Sequence, residues 1–139
     1  MDSKIVMFEK FAQQAAKRLE ERKKRRTETL KVKGADGMED LVLEIRGLSD
    51  TEMNECFEFS NDSIEVDRYT IYCASKTLQE AAKIMAASGQ LQPGKEYKIT
   101  EMFTAAQRNF IARRVLTLSG ALGDAGVEII KETDEIKNS

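Results

Sequence analysis

With 139 residues, the chain has the usual size of one domain and is long enough to bury about two-thirds of its unfolded surface without disulfides or metal. It contains no histidine, which removes the commonest general base and the commonest neutral metal ligand. The net charge of −2 conceals a polarity: residues 1–33 carry 11 Lys/Arg against 5 Asp/Glu, whereas the other 106 carry 11 against 19, so a basic arm joins an acidic body.

The spacing predicts a first helix over residues 3–26. Ile5, Phe8, Ala12, Ala15 and Leu19 recur at steps of three and four and mark one apolar stripe, with no Gly or Pro to interrupt it. Its last turns read Arg22, Lys23, Lys24, Arg25 and Arg26, which offer no apolar surface and so are expected to project from the body. A β-hairpin is expected next. Leu30 and Val32 alternate with polar neighbours, as do Leu41, Leu43 and Ile45, and Gly34-Ala35-Asp36-Gly37 supplies turn chemistry between them.

Beyond Gly47 the pattern is helical. Ser49 and Glu52 have capping-box spacing and place a helix start there, with an end expected near Phe59 before the turn-rich Ser60-Asn61-Asp62-Ser63. A helix over residues 66–74 is expected to turn Tyr69, Tyr72 and Cys73 inward. Thr77 and Glu80 repeat the capping spacing and predict a new helix near Lys76, with Leu78, Ala81, Ala82 and Met85 as its stripe and Gly89 as its stop. Leu91-Gln92-Pro93-Gly94 reads as a turn. The best-defined helix should come after Thr100, with Phe103, Ala106, Phe110, Ile111, Val115 and Leu118 on one side; a last short helix is expected over residues 127–136. The expected fold is thus α+β and mainly α-helical: a long N-terminal amphipathic helix, one β-hairpin, then a cluster of four to five helices. It forms a single domain over 1–139, divided into the helix with its basic end (1–27), the hairpin (28–47), a helical core (48–122) and a C-terminal helical tail (123–139).

The chemistry-bearing patterns are sparse. Cys56 and Cys73 lack metal-ligand or redox-motif spacing and read as reduced, ordinary side chains. No phosphate loop, nucleophile elbow or zinc pattern is present, and the acidic pairs Glu20/Glu21, Glu55/Glu58 and Asp134/Glu135 read as solvated faces. No catalytic, metal-binding or cofactor-binding residue is assigned, and a non-enzymatic role is expected. No apolar run approaches the ~20 residues that cross a bilayer, and the charged amino end does not read as a secretion signal, so a cytoplasmic protein is expected. The Arg22–Arg26 run admits a contact to phosphates or to an acidic partner, or plain complementation of a helix C-terminus. With no aromatic interleaved to stack a base, protein binding or helix capping is favoured over nucleic acid. Phe8 and Phe11 read as core, or as the exposed face of a helix that seeks a groove. Val127, Ile129 and Ile130 carry the same two readings.

The order of these features resembles the XkdN-like tail assembly chaperones of long-tailed bacteriophages and prophages. The likeness rests on FEKFAQQAAKRLEERKKRR (residues 8–26), on the strand end and acidic capping segment LVLEIRGLSDTE (41–52) with Met53, Glu55 and Cys56 after it, on DRYTIYCAS (67–75) and on FIARRVLTLSG (110–120). The sequence departs from that pattern between Tyr72 and Thr77, which lacks a proline-and-aspartate-rich turn, and in a longer basic run. The resemblance implies a non-catalytic protein that holds the long helical tape measure protein while tail tube subunits polymerise, with the tail tube protein and self-association as further contacts, and that is absent from the mature virion. The expected protein-binding residues are Ile5, Phe8, Phe11 and Leu19 together with Val127, Ile129 and Ile130. Arg22, Lys23, Lys24, Arg25 and Arg26 are the expected electrostatic contact. A nucleic-acid-associated accessory protein and a structural head–tail morphogenesis protein are the competing readings.

Overall fold

A computed structural model of the chain describes residues 2–132. Helix α1 (Ser3–Lys23) leads into a two-stranded antiparallel hairpin of β1 (Thr27–Val32) and β2 (Leu41–Arg46), and then come α2 (Asp50–Phe57), α3 (Ser63–Cys73), α4 (Lys76–Ala87), a 3-10 helix (Glu96–Met102) and α5 (Ala105–Leu118). The expected α+β, mainly helical architecture is therefore present, with four α-helices and one 3-10 helix after the hairpin among the described residues.

The hairpin cannot stand alone, since two strands bury too little apolar surface. It is held by its inner face. Leu43 and Ile45 of β2 are buried, with Leu30 and Val32 of β1 half-buried beside them, while Thr29, Lys31 and Glu44 point to solvent. This is the period-two alternation read from the sequence. The pairing runs from Thr27 opposite Arg46 to Val32 opposite Leu41.

Helix α3 lies at the centre of the body and contacts α2, α4, α5 and the 3-10 helix. Its Ile71 and the β2 residue Ile45 are both 0% exposed, and each such side chain stabilises the fold by roughly 1.5–3 kcal/mol through burial. Around them pack Leu48, Cys56, Leu78, Ile111 and Val115. Cys56 is buried, Cys73 is half-buried, and neither forms a disulfide. The Cys73 sulfur and burial raise the Cys56 pKa, so its thiol stays protonated.

Several local signals act as the sequence suggests. The Ser49 hydroxyl accepts from the Glu52 amide at 3.1 Å and the Glu52 carboxylate accepts from the Ser49 amide at 3.0 Å, a reciprocal box that starts α2. Gly89, at φ +79°, ends α4: the Gln90 amide donates to the Met85 carbonyl at 2.8 Å and the Gly89 amide to Ala86 at 3.2 Å, the paired bonds of a Schellman stop. Gly47 is required by close approach. A Cβ there would lie 2.5 Å from the Leu118 carbonyl oxygen, so the end of α5 rests directly on the hairpin.

Other boundaries differ from expectation. Helix α3 starts at Ser63 rather than Val66 because Asp62 caps it, accepting from the Ile64 amide at 2.9 Å. Its most buried residues are Thr70 and Ile71, with Tyr69, Tyr72 and Cys73 only half-buried. The cap of α4 is Ser75, whose hydroxyl accepts from the Leu78 amide at 3.3 Å, while Thr77 lies exposed in the first turn. The 3-10 helix has no counterpart among the elements expected from the sequence. Helix α5 begins at Ala105 behind a second reciprocal box, Thr104 with Gln107. Ala106 and Phe110, expected inside, are exposed, and the small Ala112 and Ser119 take the buried positions. The helix expected over residues 127–136 is not formed over 127–132, which have no regular structure. Gly123 and Gly126, at φ +105° and +66°, hold backbone conformations that interrupt any helix there. Residues 133–139, including Ile136, lie outside the described residues.

Candidate protein-binding surfaces

Helix α1 forms for local reasons. Asp2 caps it by accepting from the Lys4 amide at 2.9 Å, no Gly or Pro interrupts it, and Lys23 and Lys24 pair with Glu20 and Glu21 one turn earlier at 3.1 and 2.9 Å. Its 21 residues extend about 30 Å. None of them is buried. Phe8 is 63% and Phe11 74% exposed, with Ile5 and Leu19 also exposed, so the core reading of the two phenylalanines is overturned. Phe11, Ala15 and Leu19 share a face with Arg18 and Arg22, and together they line an open trough of about 640 Å³.

The helix joins the body at its basic end. Arg22 donates to the Asp50 carboxylate at 3.1 Å and to the Ser119 carbonyl at 3.5 Å, and the Gly47 amide donates to the Arg26 carbonyl at 2.8 Å. Arg25 turns back to the Arg22 carbonyl at 2.6 Å. Four of the five expected electrostatic residues, Arg22 to Arg25, thus already have partners within the chain. These pairs are solvent-exposed and individually weak, so the run remains available as a diffuse positive field.

The expected binding residues fall into two groups that the fold does not merge. Ile5, Phe8, Phe11 and Leu19 lie along α1. Val127, Ile129 and Ile130 stand exposed on the irregular segment after α5, Ile130 at 98%. Arg22 ties the base of α1 to Ser119 at the end of α5; Phe8 lies about 21 Å further along the helix axis.

The body carries further apolar surface that sequence reasoning missed. Val42, Met38, Ile84, Met102 and Phe110 are exposed. A pocket of about 270 Å³ opens between the hairpin and α4, lined by Val32, Val42, Leu78, Met85 and Met102 among others. A groove of about 530 Å³ runs between β1 and α5, lined by Leu30, Lys31, Lys33, Ala106, Gln107 and Phe110 among others. The available signal was Phe110 beside Ile111: adjacent helical residues lie about 100° apart, so one of two bulky neighbours tends to leave the core.

Ion pairs fix this framework. Arg46 holds the Glu52 carboxylate through two bonds, 3.2 and 2.7 Å, which together with the Ser49 cap lowers the Glu52 pKa to about 2. Arg114 of α5 grips Glu28 of β1 through 2.8 and 2.6 Å bonds and lowers the carboxylate's pKa. Glu65 is likewise held low by the Tyr97 hydroxyl and Arg68. Burial raises the Asp67 pKa, partly offset by Arg108. Among the described residues no cluster of three metal-ligating side chains is present, and no helix is long and apolar enough to cross a membrane. No protein-family model, curated protein or solved structure matches the chain.

Proposed function

We propose that this protein is a non-catalytic binding protein that presents α1 to an apolar helical partner, and that it serves as a phage tail assembly chaperone whose partner is the tape measure protein. One observation supports the binding role above all: a 21-residue amphipathic helix with no buried residue. Covering one fully exposed Phe or Leu contributes roughly 1.5–3 kcal/mol. The four side chains Ile5, Phe8, Phe11 and Leu19 therefore offer a gross gain on the order of 8 kcal/mol, of which only the surplus over association costs appears as affinity. Such a grip is reversible, as a chaperone that leaves its client requires, and repeated copies along a long client add avidity. The assignment to phage tails rests on the resemblance of residues 8–26, 41–56, 67–75 and 110–120 to that family.

The competing nucleic-acid reading would use Arg22–Arg26. It is disfavoured because no aromatic is interleaved with these cations to stack a base. The test is affinity capture of the tagged chain from phage-producing cells. Recovery of one long, helix-rich tail protein, lost in a Phe8→Asp/Phe11→Asp variant, is the expected result. Recovery of nucleic acid alone, released by moderate salt, would overturn the chaperone assignment.

A further inference from the structure

The hairpin has two edges, and among the described residues each carries a single hydrogen bond to the rest of the chain, which leaves most of β1's outward main-chain groups unpaired. The Gly47 amide donates to the Arg26 carbonyl, which sets the phase of the ladder: Glu28, Leu30 and Val32 direct their main-chain groups to β2, and Thr27, Thr29 and Lys31 direct theirs outward. On the β2 side the outward amide of Arg46 is satisfied by the Ala74 carbonyl at 2.9 Å. On the β1 side the outward groups face the groove beside α5, and near its far end the Gln107 side chain donates to the Lys33 carbonyl at 3.4 Å. A free strand edge beside an apolar helix flank accepts an extended segment as an added strand.

The chain itself contains a segment of that description. Residues 127–132 are irregular, Val127, Ile129 and Ile130 are 82%, 82% and 98% exposed, and β-branched residues at these positions favour strand over helix. In an extended conformation Val127 and Ile129 share one face with Lys131, and Glu128, Ile130 and Glu132 share the other. The first pair continues the inner face of Leu30 and Val32 toward Ala106 and Phe110. The second set brings carboxylates beside Lys31 and Lys33, the charged residues among those described that line the groove. Residues 127–139 hold four carboxylates against two lysines, so the charges are complementary.

We propose that residues 127–132 of a second copy add to the free edge of β1 as a third strand, in the groove between β1 and α5. Among the described residues the segment and the groove are both uncovered, so each copy offers one donor and one acceptor. This contact joins unlike surfaces, and it builds open chains or rings of copies rather than stopping at a pair. It is independent of α1 and of the chaperone reading.

Sedimentation velocity of the full chain across a concentration series tests this directly. The expected result is an average mass that rises with concentration. Val127→Asp/Ile129→Asp should be monomeric throughout, with an unchanged thermal melt because both positions are exposed. Lys31→Glu/Lys33→Glu should weaken association about tenfold, and adding Glu128→Lys/Glu132→Lys in the same chain should restore it. A fluorescent peptide of residues 125–135 should bind the Val127→Asp/Ile129→Asp chain saturably. Association that survives Val127→Asp/Ile129→Asp would overturn the proposal, as would a monomeric wild type with no peptide binding. A monomeric wild type whose Asp variant binds the peptide would place the segment on its own chain, and would equally overturn exchange between copies.

Discussion

Helices α1 and α4 are built on the same pattern and meet opposite fates. Each carries an apolar stripe at three- and four-residue steps behind a capped first turn. In α4 the stripe is covered, with Leu78 and Ala82 buried against the body, whereas in α1 no residue is buried. An amphipathic period therefore identifies a face that gains from being covered, without saying whether the cover comes from the same chain. The physical difference lies at the helix ends. Helix α4 is flanked by tight stops, Ser75 and Gly89, that fold it back on α3 and the 3-10 helix. Helix α1 runs into five cations that have no place in a core, and the first of them, Arg22, holds the helix to the rim of the body through Asp50 and the end of α5.

That contrast orders the expected effects of substitution. The largest falls on the body: Ile71→Ala, at a site with no exposure, should cost about 2–5 kcal/mol through lost transfer energy and a residual cavity, read by denaturant melts. Gly47→Ala should come next. Its Cβ would meet the Leu118 carbonyl oxygen at 2.5 Å, forcing α5 off the hairpin at about 1–3 kcal/mol.

The Arg46–Glu52 pair makes the stability of the body depend on pH. The folded pKa of Glu52, about 2, lies below the ordinary carboxylate value of 4.5, so the folded state favours the carboxylate. The resulting stability is present above pH 4.5 and is lost as pH falls toward 2. The side chain is 34% exposed, and after allowance for solvent screening the pair contributes about 1–2 kcal/mol. Glu52→Gln should remove that amount at about pH 7, and the variant's melt should converge on wild type near pH 2. The smallest effect belongs to α1: Phe8→Asp/Phe11→Asp should move the melt by no more than about 0.5 kcal/mol, although the same changes in a covered helix would unfold the protein.

Much of this fold was legible because its punctuation is local. The Ser49–Glu52 box, the Gly89 stop and the strand alternation each involve residues within one turn or one pairing. The misplacements occur where several residues compete for one role. Ser60, Asp62 and Ser63 all suit a cap, and only packing selects Asp62; Ser75 and Thr77 compete in the same way for α4. The 3-10 helix from Glu96 to Met102 is too short to display a stripe. Phe110 is misplaced by hydrophobicity alone, which ranks it above Ala112 and Ser119, although those smaller residues fit where α5 abuts the body. On the candidate surface, the α1 stripe was readable residue by residue, but its exposure was not, since coverage depends on contacts distant in sequence. The same holds for the open β1 edge, which emerges only once the phase of the ladder is fixed.

Helix α1 is folded, yet the other described residues leave its apolar face uncovered. Amide hydrogen exchange of the isolated protein, resolved by peptide, tests this most directly. The amides of residues 4–23 should exchange far ahead of those in α3, whose opening requires global unfolding. Protection in α1 equal to that in α3 would mean that the stripe of Ile5, Phe8, Phe11 and Leu19 is already covered, and would contradict it.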